Sequence, residues 1–553
     1  MISSSKINKS IIALGTGLFC SVFANAQQRP NIIFILTDDQ PYSLLHCTGN
    51  EILQTPNIDR LAAEGILFTN AHVSSAISMP SRTCIFTGRY ERSHGVNFNS
   101  GTSLSAEGWA QSYPNLLRNG GYYTGYVGKN HTPIGEKGYE TGLMEKSYDY
   151  WYAGHEHLGF YPKERHAIFK DAKSDTQVEI LQEGALDFLN PNERNLKGAL
   201  HFLDKRPTDK PFFLNVCFNL PHGAGTSSMK MKKSDAEIYK TLYRDKVIPL
   251  PKHYIAKADI KKPKLPLSIH HVADRQNIYD YCDTPEKLRE MNIREMESVT
   301  GIDLLVGRLI EELKKQKLDK NTIIVFASDH GIFDGQYGLG GKALCYEYCT
   351  HIPMIVYDPT ISKQQRSKDN NELVLSIDLP ATFLDYAGIE KPADYQGFSL
   401  RPMMNGHNEK VRDYLFTENL WSNHFGNPRC ESVQNKEWKY IRYYKNENLS
   451  AVQKISHFKE LGLPGNTIYK NDITDVLRYR IFSAAGLNGE QPVYEELFNL
   501  KNDPDESVNL ADNNECQEIL GDMRREWLKQ LKYATGSGKP KVNIYISDIA
   551  IPK

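Results

Sequence analysis

Residues 31–37, Asn-Ile-Ile-Phe-Ile-Leu-Thr, form an unbroken apolar run that stops at Asp38-Asp39. Such a run, without polar alternation, predicts a strand buried on both faces, as in a parallel sheet. Residues 322–326, Thr-Ile-Ile-Val-Phe, repeat the pattern and lead into Ser328-Asp329-His330-Gly331. Shorter runs predict strands at 66–68, at 122–127 before Gly128-Lys129, and at 211–218 before Pro221-His222. Between them the apolar period lengthens. Thr55-Pro56 reads as a helix N-cap followed by proline at the first helical position; Ile58, Leu61 and Ala62 keep helical spacing, and Gly65 ends the element. Met291, Ile293, Val299, Ile302, Leu305 and Leu309 supply the apolar stripe of a long helix from about 285 to 318. Alternating strands and helices predict an α/β fold with a large mixed, mostly parallel sheet flanked by helices.

The pattern changes after residue 408. Short strands are expected near Tyr414-Leu-Phe416, at 438–442 and at Glu496-Leu-Phe498, with a terminal helix over 518–531. They predict a smaller antiparallel sheet with a helix. Residues 223–283 are rich in Lys and Pro and poorly periodic; they read as a long insertion lining a substrate cleft. The expected division is 1–26 as a signal peptide, 27–408 as the catalytic domain and 409–553 as a smaller α+β subdomain. The leader reading rests on Lys6 and Lys9, an apolar stretch over 11–23 broken by Gly15 and Gly17, and Ala24-Asn25-Ala26 as a small-x-small cleavage site. That stretch falls short of the roughly 20 residues a spanning helix needs. The mature protein is therefore expected in the periplasm or outside the cell, without a membrane span.

Charge narrows the partners. Lys and Arg total 66 against 67 Asp and Glu, so the 553-residue chain is close to neutral. No global field favours nucleic acid, and an anionic substrate has to be captured locally. Nine cysteines, one of them Cys20 in the leader, carry no metal-binding spacing. Export permits disulfides, but the spacing does not assign them.

In open α/β sheets ligands bind beyond the carboxyl ends of the strands. Asp38-Asp39 and Asp329-His330 each follow such an end. If the two strands are neighbours, three carboxylates converge, and a hard dication, calcium or magnesium, is the natural occupant.

Ser78-Met79-Pro80-Ser81-Arg82, with Thr83 and then Thr87-Gly88-Arg89, resembles the S-x-P-S-R modification signature of the type I sulfatases of the alkaline phosphatase superfamily. The resemblance extends along the chain: Pro30-Asn31-Ile32 to Asp38-Asp39, then Thr55-Pro56-Asn57-Ile58-Asp59 with Gly65, Gly128-Lys129-Asn130-His131, Pro221-His222 and Ser328-Asp329-His330-Gly331. It continues through Gly341-Lys342 with Tyr346-Glu347 to Glu496-Leu497-Phe498-Asn499-Leu500, Asp503-Pro504 and Asn509-Leu510. Any one of these is weak, but their joint order is specific.

The resemblance implies an alkaline-phosphatase-like fold and a set of roles. Ser78 becomes formylglycine, whose hydrate attacks sulfur. Asp38, Asp39, Asp329 and His330 are the implied metal ligands together with oxidised Ser78, although Asn is commoner than His at position 330. Arg82 holds the hydrated aldehyde, Lys129 and Lys342 bind sulfate, His131 assists breakdown of the intermediate, and His222 protonates the leaving oxygen. Such types suit the chemistry, because transition-state charge on the sulfate oxygens needs preorganised positive groups and an alkoxide leaving group needs a proton. The resemblance further implies an anaerobic-type maturating enzyme as partner and a sulfated saccharide (a glycosaminoglycan, mucin or algal fragment) as substrate. Arg165, with His155, His157 and His166, and Arg429, with Trp421 and His424, are the expected sugar contacts. Two alternatives stand beside this reading: a phosphonate or phosphate ester hydrolase of the same superfamily, and a sulfoglycan-binding protein whose Ser78 stays unmodified.

Overall fold

The computed structural model describes residues 29–98, 101–136, 138, 142–155, 197–222, 240–270, 280–362, 369–405, 409–420, 428–445 and 473–544. Eight strands form the main sheet: β1 (Asn31–Asp38), β2 (Ile66–Phe68), β3 (Tyr123–Asn130), β4 (Tyr150–His155), β5 (Phe212–Pro221), β6 (Thr322–Ser328), β7 (Met354–Tyr357) and β8 (Asp369–Asn370). Their spatial order is β8-β2-β7-β6-β1-β5-β3-β4. The run from β6 to β4 is parallel throughout. β7 lies antiparallel to both its neighbours, which makes the sheet mixed.

The apolar runs sit at the centre of this sheet for a physical reason. Ile32, Phe34 and Leu36 face one layer of side chains with Phe213 and Val325, while Ile33 and Ile35 face another with Leu214, Val216, Ile324 and Phe326. Strands covered on both faces have no use for polar alternation, and each fully buried Ile or Phe contributes about 1.5–3 kcal/mol.

The helices that matter here are α1 (Pro56–Glu64), α2 (Ser78–Thr87), α3 (Pro285–Lys315), α4 (Asp378–Tyr386) and α5 (Gln517–Thr535). The stripe of α3 packs where the spacing puts it: Ile293, Val299, Ile302, Leu305 and Leu309 join the second layer. Met291 instead packs with Tyr281, Cys282, Leu288 and Ile332. The start of α1 differs from the expected N-cap. Thr55 makes no side-chain cap; Asp303 of α3 accepts from the backbone N–H of Asn57 at 2.9 Å and of Ile58 at 2.7 Å. A carboxylate from a neighbouring helix thus satisfies the orphan donors that a local hydroxyl was expected to take.

A second sheet follows: β9 (Leu415–Asn419), β10 (Cys430–Gln434), β11 (Trp438–Tyr443) and β12 (Tyr494–Asn499), antiparallel and in that order. Leu520, Met523, Trp527 and Leu531 of α5 cover it. Arg92, on the short helix Glu91–His94 that follows α2, anchors the second sheet, donating to Glu418 and Glu431 at 2.6 Å each. Part of the Lys/Pro-rich insertion is described, and it is clamped to the tail. Lys264 donates to the Glu506 carbonyl at 2.6 Å and lies 4.5 Å from the Tyr337 ring centre.

Candidate functional site

Register brings the strand tips together. Thr37 of β1 sits opposite Ser328 of β6, so Asp38 and Asp329 leave the sheet side by side. On the other flank Asp38 pairs with Pro221, which delivers His222 to the same end, and the His222 N–H donates to the Asp38 carbonyl at 3.1 Å. One strand further, Gly128 lies opposite Cys217 with φ +98°, and a Cβ there would fall 1.9 Å from the Cys217 oxygen. Only glycine admits that approach, and Lys129 follows it into the site. Asp39 itself is held in the left-handed region at φ 60°. Backbone of that kind costs about 1–3 kcal/mol and persists where its surroundings impose it.

Ser78 is the first residue of α2, a wholly buried helix with no side-chain N-cap. Its hydroxyl lies 3.4 Å from Asp38 Oδ1 and 3.0 Å from His330 Nε2. One turn on, Arg82 donates from Nε to Asp329 Oδ2 at 2.8 Å and places Nη2 3.5 Å from Asp38 Oδ1. Lys129 donates to Asp38 Oδ2, and Lys342 donates to both oxygens of Asp39 at 2.7 and 2.8 Å. His222 Nε2 stands 3.7 Å from Asp39 Oδ2, and its side chain, 19% exposed, is the most open of the group. Asp38, Arg82, Lys129, Asp329 and His330 are fully buried.

Three cations therefore face three carboxylates. Burial opposes ionisation of Asp38, yet Lys129 above all, then His222, Arg82 and Lys342, hold its carboxyl well below the usual range. Asp39 is lowered in the same way, against its burial, chiefly by Lys342. Burial pushes Asp329 up. Burial, aided by the neighbouring lysines, lowers His222 to about 4 and His131 well below the imidazole range.

The donor set fits a hard cation. Ligand atoms of Asp39, Asp329 and His330 lie within 4.8 Å of one another. His330 Nδ1 sits 2.9 Å from the Gly331 carbonyl, an oxygen that can only accept, so the neutral ring carries its lone pair on Nε2. That atom faces Asp39 Oδ1 at 3.1 Å and Asp329 Oδ1 at 3.8 Å. Acceptors converging at such distances repel unless a positive charge stands between them. Asp38 lies outside this group of three; its oxygens are engaged by Lys129, Arg82 and Ser78.

Other residues brace the site. Ser81 donates to the Asp329 carbonyl at 2.5 Å, Tyr126 to the Lys129 carbonyl at 2.7 Å, and the Tyr281 hydroxyl to the Phe333 carbonyl at 2.8 Å while accepting from the Gly341 N–H. Ser81 was legible in the motif. Tyr126 and Tyr281 carry no sequence signal, because each is distant in the chain or hidden in an apolar run. Of the expected sugar contacts, Arg165, His424, His157, His166 and Trp421 lie outside the described residues, as does the His155 side chain. Arg429 is buried. Its guanidinium stacks 4.0 Å from the Tyr444 ring centre, donates to the Phe482 carbonyl and pairs with Glu490, so its charge is used inside the second sheet.

Comparison with known proteins agrees with this geometry. A family model described as sulfatase matches residues 30–389, and one described as the C-terminal part of N-sulphoglucosamine sulphohydrolase matches 330–462. The chain is 29% identical to an N-acetylglucosamine-6-O-sulfatase of Bacteroides thetaiotaomicron over 75% of its own length and 78% of that protein's. It is 25% identical to human N-acetylglucosamine-6-sulfatase, covering 93% of this chain and 86% of the relative. Among solved structures, one in complex with its substrate D-glucosamine-2-N,6-O-disulfate superposes with TM-score 0.64 at 21% identity, covering 92% of this chain and 98% of that one. A phosphonate monoester hydrolase from Silicibacter pomeroyi gives 0.65 at 19%, covering 93% and 96%. At such identities the structural likenesses speak for the fold.

Proposed function

Because the chain belongs to the type I sulfatase family, and so to the sulfuric ester hydrolases, we propose that it removes sulfate from carbohydrates outside the cytoplasm, using formylglycine made from Ser78. One observation carries the proposal: Ser78 stands at the start of a buried helix, within hydrogen-bonding reach of His330 and beside Asp38, with two buried ammonium groups on the neighbouring aspartates. When present, the oxidised residue supplies the nucleophile, and a dication, most simply calcium, supplies positive charge beside it. Asp39, Asp329 and His330 would hold the cation, with Asp38 on its flank. A dication neutralising these carboxylates lets the ammonium groups of Lys129 and Lys342 turn to sulfate oxygens. Arg82 orients Asp329 and flanks the Ser78 side chain. His222, the most exposed member of the group, is placed at the leaving-group side; burial lowers it to about 4, and the sulfate anion bound beside it raises it again so that it donates the proton, while His131 takes the proton that must leave when sulfate is expelled.

Substrate and location rest on the relatives and on the leader. The relatives named for N-acetylglucosamine-6-sulfate, and the ulvan-active sulfatase of Formosa agariphila at 24% identity, favour a glycan sulfate. The predicted leader lies outside the described residues, and no helix among those described is long and apolar enough to cross a membrane. A serine-type signature calls for an anaerobic-type maturating enzyme, and a subdomain boundary is proposed near 408, after the main-sheet strand ending at Asn370 and before the second-sheet strand starting at Leu415. The test is desulfation by the matured protein of a panel of sulfated mono- and disaccharides led by N-acetylglucosamine-6-sulfate, alongside matching phosphate and phosphonate esters. Faster turnover of the phosphorus esters would overturn the proposal. So would a Ser78 still an alcohol in the native host, seen as a peptide lacking the loss of about 2 Da that oxidation brings.

A further inference from the structure

We propose that Cys345 and Cys430 form a disulfide in the exported enzyme and that this bond positions Lys342; the inference rests on the reading that the protein is exported and that Lys342 binds sulfate. The two sulfurs lie 3.6 Å apart, 85 residues distant in sequence, and both side chains are buried. That is van der Waals contact between thiols, and small side-chain rotations bring such a pair to bonding distance. Cys430 opens β10, where it pairs with Asn419 and Tyr443. Cys345 follows Lys342 by three residues and sits 3.8 Å from the Thr417 carbonyl of β9. The bond would thus stitch the lysine loop to the second sheet.

The remaining anchors of that loop give the bond its consequence. Ala343 is held at φ 66° and donates its N–H to the Ala76 carbonyl at 2.9 Å, two residues before Ser78. Tyr346 donates to Glu496 at 2.7 Å. The segment between them is short, and Lys342 must exchange Asp39 for a sulfate oxygen without the loop peeling away. A covalent tie at Cys345 removes that freedom. The neighbouring Cys349 does not compete in the fold, since its thiol lies against the Gly341 carbonyl.

Formation balances as thiol–disulfide exchange. One cysteine thiolate attacks a disulfide of an exported thiol-oxidising protein; the second attacks the mixed disulfide, and the oxidant leaves with two thiols and the two electrons. The exchange belongs to folding, before the second sheet docks, because burial then closes access and raises the Cys430 thiol well above its usual range.

The test uses the full chain in two samples. One is purified without reductant from the native host, where the chain's own leader directs it; the other is made reduced and refolded in a glutathione redox buffer. Both are unfolded with iodoacetamide and mapped by mass spectrometry. The expected result is a Cys345–Cys430 linked peptide in each. Alkylation of both thiols in the refolded sample, or a Cys345–Cys349 link, overturns the pairing. Linkage in the refolded sample alone overturns export and leaves the pairing standing. For positioning, Cys430→Ala in the matured enzyme should raise KM for the sulfated sugar about tenfold while kcat changes less, with Cys349→Ala as the unaffected control. An unchanged KM in the Cys430→Ala protein overturns the positioning role even if the linked peptide is found.

Discussion

Replacing His330 by alanine isolates what the imidazole does in the acidic cluster. Its Nε2 lies 3.1 Å from Asp39 Oδ1 and 3.0 Å from the Ser78 hydroxyl, and its Nδ1 is committed to the Gly331 carbonyl. The ring is therefore oriented, and its lone pair is aimed at the point where the carboxylates meet. Partners that merely orient metal ligands are worth about 10–100-fold in affinity, so a direct ligand is expected to be worth about 100-fold. At a calcium concentration of about 100 times the wild-type dissociation constant, binding stabilises the wild-type protein by about 2.7 kcal/mol. The alanine variant would then sit near its own dissociation constant and gain only about 0.4 kcal/mol.

Calorimetric titration of the metal-free proteins with calcium gives the affinity ratio directly. Denaturant unfolding with and without calcium gives the matching loss of about 2.3 kcal/mol of metal-dependent stability. His330→Asn supplies an oxygen ligand and keeps an N–H donor on its amide, and it should recover most of the calcium affinity. Equal calcium affinity in the wild-type and alanine proteins would refute the assignment of His330 to the metal. It would leave the imidazole as a partner of Ser78 alone.

Lys342→Ala in the matured enzyme should lower kcat/KM by about 10²–10³-fold, the usual worth of one preorganised charge at a transition-state oxygen; steady-state kinetics on a sulfated sugar checks it. His222→Ala should cost about 10²–10⁴-fold on sugar sulfates, whose alkoxides need a proton, and far less on an aryl sulfate with an acidic phenol; equal losses on both would remove the proton-donor role. Stability should fall on mild acidification through His94, which is fully buried, accepts from the Val96 N–H on Nδ1 and is held well below the imidazole range by burial. Below the unfolded value near 6.5 the unfolded chain binds the extra proton, so each pH unit downward costs about 1.4 kcal/mol. His94→Asn should remove that increment from the slope measured by denaturant unfolding between pH 6 and 5.

Most of the site was legible because it is local in sequence and terminal in structure. Asp38, Lys129, His222 and Asp329 each follow the apolar run of a central strand, and parallel register alone carries strand ends to one edge. The same logic placed α3 and the strands β1, β2, β3, β5 and β6, but not β4, β7 or β8. What stayed hidden depends on contacts between distant segments. The cap of α1 comes from Asp303, some 245 residues away, and a local hydroxyl could not reveal it. β7 runs antiparallel within a parallel neighbourhood, and the four residues Met354–Tyr357 carry no mark of direction. β10 alternates Cys430, Ser432 and Gln434 with Glu431 and Val433, a mostly polar run, and its burial comes from β9, β11 and α5.

On the proposed role of Lys342, the second sheet supports sulfate binding through the loop that bears this lysine. Glu347, five residues after that lysine, receives Lys439 of β11 at 3.0 Å, and Lys439 in turn pairs with Glu506 at 2.8 Å. Lys439 holds the Glu347 carboxyl well below the usual range despite its burial. Together with Tyr346 on Glu496, these bonds fix the loop from the C-terminal side, while Ala343 fixes it from the side of Ser78. Breaking one member of a buried charge network costs about 3–5 kcal/mol, because the partner is left unpaired. A chain cut after the main sheet would lose Lys439, Glu496 and Glu506 at once. That cut also removes Cys430, Ile441, Tyr443 and Phe498 from the main core, so the cleaner test is Lys439→Ala in the whole chain, whose defect should appear in sulfate binding before it appears in metal binding.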